Sequence, residues 1–424
     1  MRGKKEKETP MQILLVGKGG REHALAWKIA QSPQLTRLIC VPGNPGMTPL
    51  GAHLDLATPD IPAFAAKEGI DLVVVGPEAP LAEGLADALS DLNIPCFGPN
   101  RAGAQLETSK SFVKALAAEQ GIPTARAETF TDAAAARAAL DRFAAPYVIK
   151  ADGLAAGKGV TIAPNRQGAE DAIDMAFAGR FGDAGKTLLI EDFMAGTEMS
   201  VFALTDGERL MRFGTAQDWK RAYDGDRGPN TGGMGCISPS PLETPALMDR
   251  IEDTILRPTL SALQQRGITY RGVLYAGLMI TENGPKLIEY NCRFGDPECQ
   301  LLMRRFSGDL VSVLYAAATG TLGEVPGTFS PEGAANVVYA AKGYPETYER
   351  GTEIKSVDAA DHVTGALVFH AGTRTEGDRL LADGGRVLNV TATGQTVADA
   401  VERAYEAIGR IDWPEGFYRR DIGC

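Results

Sequence analysis

The chain has 424 residues, 44% hydrophobic and 23% charged, so it is not a disordered polymer and can hold about two to four domains with cores of their own. Acidic residues number 54 and basic residues 43, a net charge of −11 that disfavours general binding to a nucleic-acid backbone but leaves room for a small anion in a locally positive pocket. The longest apolar runs, such as 272–280, reach about nine residues against the roughly 20 that span a bilayer. The opening MRGKKEKETP lacks the apolar core of a secretory leader, the six cysteines form no CxxC pair, and the four histidines are scattered. Neither a zinc site, a disulfide framework, a nucleic-acid partner nor a membrane is expected, and the expected compartment is the reducing cytoplasm.

Residues 1–10 read as a disordered polar tail. From residue 11 to about 100, strand and helix alternate. Expected strands at 13–16, 35–41, 72–75 and 94–97 are continuous apolar runs, as in a sheet buried on both faces, and a helix is expected over 21–31. Each strand runs into a special turn: Gly17-Lys18-Gly19-Gly20, Pro42-Gly43-Asn44-Pro45-Gly46, Gly76-Pro77-Glu78 and Gly98-Pro99. The alternation implies a parallel sheet with these turns at the carboxyl edge, where such sheets bind ligands.

A second unit begins near Glu107. Thr108 or Ser109 caps a helix carrying Phe112, Val113, Leu116 and Ala117 on one face, and Gly121 and Pro123 end it. An alanine-rich helix at 132–142, a strand at 147–150, a glycine-rich loop at 151–159, a strand at 160–163, a helix near 169–178 and a strand at 187–190 follow. Beyond a strand at 199–205 comes a long polar loop, 216–239, then a helix near 245–266. A hairpin pairs 272–280 with 285–291 across Glu282-Asn283-Gly284. From about 335, strands at 336–341, 366–371 and 386–392 lead to a helix at 397–410 with a weak capping box, Thr396 with Asp399.

The loops carry the chemistry. GKGGRE (17–22) has Glu22 where a dinucleotide fingerprint needs its third glycine, and no acid ends the second strand, so a generic phosphate cradle remains, with Arg21 beside it. KADGLAAGKGV (150–160) misses the P-loop spacing, has Gly159 after Lys158, and lies between two strands; it can fold over phosphates as a flap. In IEDFMAGTEMS (190–200), Phe193 offers apolar surface for a base and Glu198 an acceptor for ribose hydroxyls. In LIEYNCRFGDPECQ (287–300), Glu289 and Asn291 are two apart on a strand and so share a face, which suits a hard cation completed by phosphate oxygens. Arg293 continues that face if the strand persists, where it could stabilise charge on a transferred phosphoryl group. Asp218, Lys220 and Arg221 in the long loop offer both charge signs, which suits a zwitterionic or a mixed-charge substrate without choosing between them.

Taken together, the runs GKGGREHALAWK, VPGNPG, VVVGPEAPL, SKSFVK, VIKADGLAAGKGV, GPNTGGMG, GVLYAGLMI, IEYNCRFGDPE, VFHAGT, GGRVLNVTA and RRDIG resemble the ATP-grasp superfamily and, within it, the phosphoribosylamine–glycine ligases. The resemblance spans nearly all of 11–423. It implies an α/β chain in three parts: an N-terminal doubly wound, biotin-carboxylase-like parallel-sheet domain (11–106), an ATP-grasp domain (107–334) with a mobile lid at about 124–195, and a small α+β C-terminal domain (335–424). It implies ligation of glycine to 5-phosphoribosylamine, consuming ATP, through a glycyl phosphate, by a monomer or weak homodimer; another ATP-grasp carboxylate–amine ligase is the alternative. It further implies that Lys110, Lys150 and the flap glycines Gly153, Gly157 and Gly159, with Lys158, hold the nucleotide phosphates. Glu191, Phe193 and Glu198 would hold adenine and ribose, and Glu289 and Asn291 would bind Mg²⁺ or Mn²⁺. Arg293 and Lys150 would be catalytic, and Gly17, Gly19, Gly20, Gly43, Asn44, Glu78, Asp218 and Arg293 would meet the substrates. Two departures stand out: strand 272–280 has no metal-binding acid, and Trp219 replaces a histidine common in the family.

Overall fold

The computed structural model describes residues 10–154 and 159–424. Residues 1–9 of the tail expected at 1–10, and Gly157 and Lys158 of the flap, lie outside the described residues.

Met11–Gly17, Leu35–Pro42, Ala52–His53, Leu72–Val75 and Cys96–Phe97 form a five-stranded sheet in which every pairing is parallel and Met11–Gly17 is central. Alternate residues of the central strand enter different cores, Leu14 and Val16 one and Ile13 and Leu15 the other. That explains its unbroken apolar sequence: a strand covered on both faces needs apolar residues at every position. The strand ends are in step. Gly43 N–H donates to Gly17 O at 3.1 Å and Gly76 N–H to Val16 O at 3.0 Å, so the glycine turns line one edge as expected.

Helix Arg101–Thr108, absent from the sequence reading, follows the last of these strands and runs up to Ser109. Ser109 Oγ accepts from Phe112 N–H at 3.2 Å to start helix Lys110–Gln120, which ends on Gly121 at φ +65°. An antiparallel sheet follows, with Ala127–Phe130, Leu188–Glu191, Tyr147–Ala151 and Val160–Ala163 in spatial order. Helices Ala133–Ala139 and Arg166–Met175 cover it, and together they bury a core of their own. A separate small core is what allows this unit to behave as one body.

Eight of the remaining strands follow one another in a large antiparallel sheet, ordered Gly284–Asn291, Gly272–Thr281, Thr197–Thr205, Leu210–Asp218, Gly235–Ser238, Gly333–Ala341, Arg386–Gly394 and Ala366–His370, while Glu353–Ile354, Arg379–Ala382 and Thr373–Glu376 form a small sheet of their own. The large sheet runs without a break past residue 334, because Gly235–Ser238 pairs with Gly333–Ala341. The expected loop 216–239 is therefore corrected. Its ends are strand residues, and its middle is a hairpin of Arg221–Tyr223 with Arg227–Asn230. Mixed polarity and many glycines hide these strands from a pattern reading.

The long helix near 245–266 is present in three pieces, Pro245–Ile251, a widened turn Glu252–Leu256, and Arg257–Gln265. Pro258 has no N–H for the preceding turn and its ring crowds it, which accounts for the widening. Helix Val397–Ile408 starts with the expected capping box: Asp399 N–H donates to Thr396 Oγ1 at 3.1 Å and Thr396 N–H to Asp399 Oδ2 at 2.9 Å.

Candidate active site

At the carboxyl edge of the parallel sheet, Glu22 modifies the expected anion cradle. Its side chain is buried, Oε2 accepts from Gly19 N–H at 2.6 Å, and a Cβ on Gly17 or Gly76 would overlap it. The glycines at 17 and 76 thus make room for a carboxylate of the chain itself, and the Gly19 amide is already satisfied. Arg21 is not free either: Nε lies 2.5 Å from Glu22 Oε1, and Nη1 donates to Phe294 O at 3.0 Å. The Asn44 amide is spent on Lys18 O at 2.8 Å and His370 O at 2.9 Å, so only its backbone could face a ligand. Gly20 packs against Asn389 and Gln300, where a side chain would not fit. Gly43 adopts φ +74° in its turn. Glu78, which opens a short helix after the third long strand, reaches out of this edge to Arg293, with Nε at 3.2 Å from Oε2.

Between the lid sheet and helix Lys110–Gln120 lies a buried ion cluster. Lys150 Nζ is 3.0 Å from Glu191 Oε2, and Lys114 Nζ is 3.3 Å from Oε1. Lys114 also donates to Thr124 Oγ1 and Ala125 O, both at 2.9 Å. Burial lowers the Lys114 pKa, and Glu191 offsets only part of that. Lys110 is 3.4 Å from Gly153 O, so helix and flap base meet. Asp152 fixes that meeting: Oδ1 accepts the Lys110 amide at 2.5 Å and the Ser111 amide at 3.2 Å, a carboxylate seated on a helix N-terminus. Gly153 has φ +151°, and a Cβ there would overlap Ala184, while Gly159 O accepts from Ala151 N–H at 2.8 Å to close the described base of the flap. Phe193 is 45% exposed just past Glu191 and offers the open apolar surface expected of it.

Glu289 stands opposite Gly277 and Asn291 opposite Tyr275 on one strand face. Burial opposes the Glu289 charge, but Lys220, Lys150, Lys110 and Arg293 outweigh it and hold the carboxyl below its ordinary pKa. An anionic carboxylate and an amide oxygen on one face fit a hard cation. Among the described residues, no three His, Cys, Asp or Glu side chains group closely enough to hold a metal alone. A cation here would therefore draw on Asn291 and on ligand oxygens. Lys220 Nζ is 2.7 Å from Glu198 Oε2, in an exposed pair. Asp218 lies deeper. Burial pushes its pKa up to about 7, with Glu298 and Glu198 adding to the rise and Lys220 opposing it.

The expectation that Arg293 continues the strand is corrected. The strand ends at Asn291, because Cys292 N–H donates to Glu107 Oε2 at 2.9 Å instead of to a neighbouring strand. Arg293 is placed by carboxylates: Glu107 Oε1 at 2.7 Å from Nη2, and Glu78 from the N-terminal edge. Burial opposes its charge, yet Glu107 and Glu78 raise its pKa.

Ion pairs and charge coupling thus link Lys110, Lys150, Glu191, Glu198, Asp218, Glu289, Arg293 and Glu78 to one another, with Asn291 on the same strand face as Glu289. The structure adds Glu107, Lys114, Asp152 and Lys220. Lys114 had a legible signal, since it follows Lys110 by four residues on one helix face. Glu107 had none, because its partner is 186 residues away.

A four-stranded lid sheet followed by an antiparallel sheet that carries the Glu–Asn strand, both after a parallel-sheet domain, is the arrangement of an ATP-grasp enzyme. The architecture agrees with a solved biotin carboxylase domain of a Hydrogenobacter thermophilus 2-oxoglutarate carboxylase (TM-score 0.72, 17% identity, 97% of this chain and 92% of that one). Family models for the N domain, the ATP-grasp (A) domain and the C domain of phosphoribosylglycinamide synthetase match residues 11–107, 108–299 and 334–424. The chain belongs to the phosphoribosylglycinamide synthetase family. It is similar to the phosphoribosylamine–glycine ligases of Mesorhizobium japonicum (54% identity, 97% of this chain and 98% of that one) and Rhizobium meliloti (53%, 97% and 98%). The solved phosphoribosylamine–glycine ligase of Thermotoga maritima superimposes with a TM-score of 0.86 at 33% identity, over 97% of this chain and 100% of that one.

Proposed function

We propose that the chain joins glycine to 5-phosphoribosylamine, converting ATP to ADP and phosphate and yielding glycinamide ribonucleotide, the second step of purine biosynthesis. The observation that carries this reading is Arg293. It is held by Glu107 and by Glu78, so one guanidinium joins the sheet edge proposed for the phosphoribosylamine to the end of the strand proposed for the metal.

A carboxylate is a poor acyl donor until one oxygen becomes a phosphate leaving group. The glycine carboxylate attacks the γ-phosphorus and ADP leaves; the amine of phosphoribosylamine then attacks the acyl carbon and phosphate leaves. The protein's work in phosphoryl transfer is mostly positioning and charge stabilisation. Lys150 and Lys110 hold the phosphates under the flap, and the Phe193 surface and Glu198 receive the nucleoside. Glu191 acts from behind, fixing Lys150. Glu289 and Asn291 hold Mg²⁺ or Mn²⁺, which neutralises polyphosphate charge when bound. Arg293 meets the transferred phosphoryl group, and Asp218 and Lys220 face the amino acid. All these groups come from one chain, so a monomer suffices, and the proposed setting is the cytoplasm.

The test is ADP release from ATP and Mg²⁺ with each substrate omitted in turn, generating phosphoribosylamine in place from ammonia and ribose 5-phosphate. Release that needs both glycine and phosphoribosylamine is expected. Release indifferent to both overturns the reading and points to another carboxylate–amine pair.

A further inference from the structure

The hairpin of Arg221–Tyr223 and Arg227–Asn230 pairs only with itself among the described residues, yet it is contiguous with Lys220. What fastens it is the chain's own C-terminal segment. The Arg419 side chain is 1% exposed; its Nη1 donates to Arg221 O at 3.0 Å and to Asp226 Oδ1 at 2.8 Å. Nε and Nη2 donate to Asp421 at 2.7 and 2.6 Å, and Asp421 in turn accepts from Gly225 N–H at 2.8 Å. Arg420 N–H donates to Asp224 Oδ1 at 2.8 Å. The hairpin tip holds two residues in the left-handed region, Gly225 at φ +70° and Asp226 at φ +53°, and each has a partner in this segment. The segment is itself anchored: Tyr405 of helix Val397–Ile408 donates to Arg419 O at 2.8 Å and accepts from Ile422 N–H at 3.0 Å.

We infer that residues 419–421 are a clasp that positions the hairpin and, through it, Lys220, and that Arg419 is a positioning residue for the amino-acid substrate. The path is short. Lys220 O accepts from both Thr231 N–H and Thr231 Oγ1 at 2.8 Å, closing the hairpin base beside the ammonium that pairs with Glu198. A hairpin of so few residues does not hold its shape alone. With its tip fixed to a buried arginine, it presents Lys220 in one place. The inference rests on the reading that Asp218 and Lys220 face glycine.

The test uses the full chain with Arg419→Met, which keeps the aliphatic stem and removes the donors, and the milder Asp226→Asn should the first fail to fold. Hydrogen exchange over residues 221–230 is expected to quicken by about tenfold or more, with strands Met11–Gly17 and Gly272–Thr281 unchanged. KM for glycine is expected to rise about fivefold or more with KM for ATP nearly unchanged, a split that general loosening of the fold would not give. Unchanged exchange in the hairpin overturns the clasp. Quicker exchange with unchanged KM for glycine overturns its positioning role. Separately, Asp218→Asn with unchanged KM for glycine overturns the underlying reading of the site, while the exchange result stands by itself.

Discussion

Lys150→Met separates what the buried ion cluster does for the fold from what it does for ATP. Lys150 and Glu191 have side chains 5% and 2% exposed and lie 3.0 Å apart, so solvent screens this pair very little. Removing one partner of a buried pair costs about 3–5 kcal/mol, because the other charge stays buried without its counter-ion. Lys114, 3.3 Å from the same carboxylate, retains part of the compensation, so the low end, about 3 kcal/mol, is expected. Adding Glu191→Gln removes the stranded carboxylate but also the counter-ion of Lys114, which keeps neutral acceptors at Thr124 and Ala125, so only part of the lost stability is expected to return. ATP affinity should not return with it. Losing a charge-assisted contact to phosphate is worth about 1.5–3 kcal/mol, or roughly ten- to hundredfold in Kd. Urea unfolding and equilibrium ATP binding on the single and double variants make the comparison. Full recovery of ATP binding in the double variant would refute a direct role for Lys150 at the phosphates. A single variant as stable as the parent would refute the energetic account of the cluster.

Three further outcomes are expected. Glu107→Gln keeps the shape beside Arg293 but removes a charge held at 2.7 Å; kcat should fall roughly tenfold with KM for ATP little changed, and a kcat within twofold of wild type, in steady-state ADP release, would contradict the positioning role. Glu289→Ala should abolish turnover at ordinary Mg²⁺ with only partial rescue at high Mg²⁺, and retained activity would remove Glu289 from the proposed metal site. The third concerns acid. His23 is held down to about 3, by burial first and His370 second, and His370 to about 4 by burial. His23 Nδ1 accepts from His370 N–H at 2.8 Å, joining the first helix to strand Ala366–His370. Both rings are neutral in the folded chain, whereas the unfolded chain binds protons below about pH 6.5. Stability from these groups is thus complete above about pH 6.5 and falls with pH toward 4 and then 3, by up to about 1.4 kcal/mol per pH unit for each ring. Urea midpoints between pH 7.5 and 5 should drop less steeply in His23→Leu than in the parent, and equal slopes would refute this.

How much of this was legible in the sequence follows from where each signal resides. Strands 13–16 and 72–75 could be read because both faces are buried, which forces every residue to be apolar. Ser109, Gly121 and the Thr396–Asp399 box could be read because caps are local chemistry. Strand Leu210–Asp218 could not, since Arg212 turns outward to Asp249 and Glu252, Gly214 sits at φ +94°, and the alternation is lost. In the site, Glu289 and Asn291 were legible from strand period alone. The internal occupant of the glycine turns was not. Gly17, Gly19 and Gly76 signal close approach without saying of what, and the answer is Glu22, present in the same motif but readable only once three strand ends are in register.

The distribution of burial among the ion pairs suggests how the proposed site can be both rigid and receptive. Lys150–Glu191 and Arg293–Glu107 are closed to solvent or nearly so, and separating either would leave a charge with no water to receive it. Those pairs are fixed posts, and a phosphate must be recognised by the faces of Lys150 and Arg293 that the carboxylates leave open. Lys220–Glu198 differs, with side chains 39% and 46% exposed. Such a pair is worth about 0–1 kcal/mol, so in the proposed site an incoming ribose hydroxyl could take Glu198, or an amino-acid carboxylate Lys220, at little cost. In the proposed site, exchangeable contacts therefore sit where ligands would enter, and unexchangeable ones where the proposed phosphoryl chemistry needs positions held. A hairpin fastened at its tip by Arg419 fits this division, because it fixes the backbone under Lys220 while leaving the ammonium free to change partners.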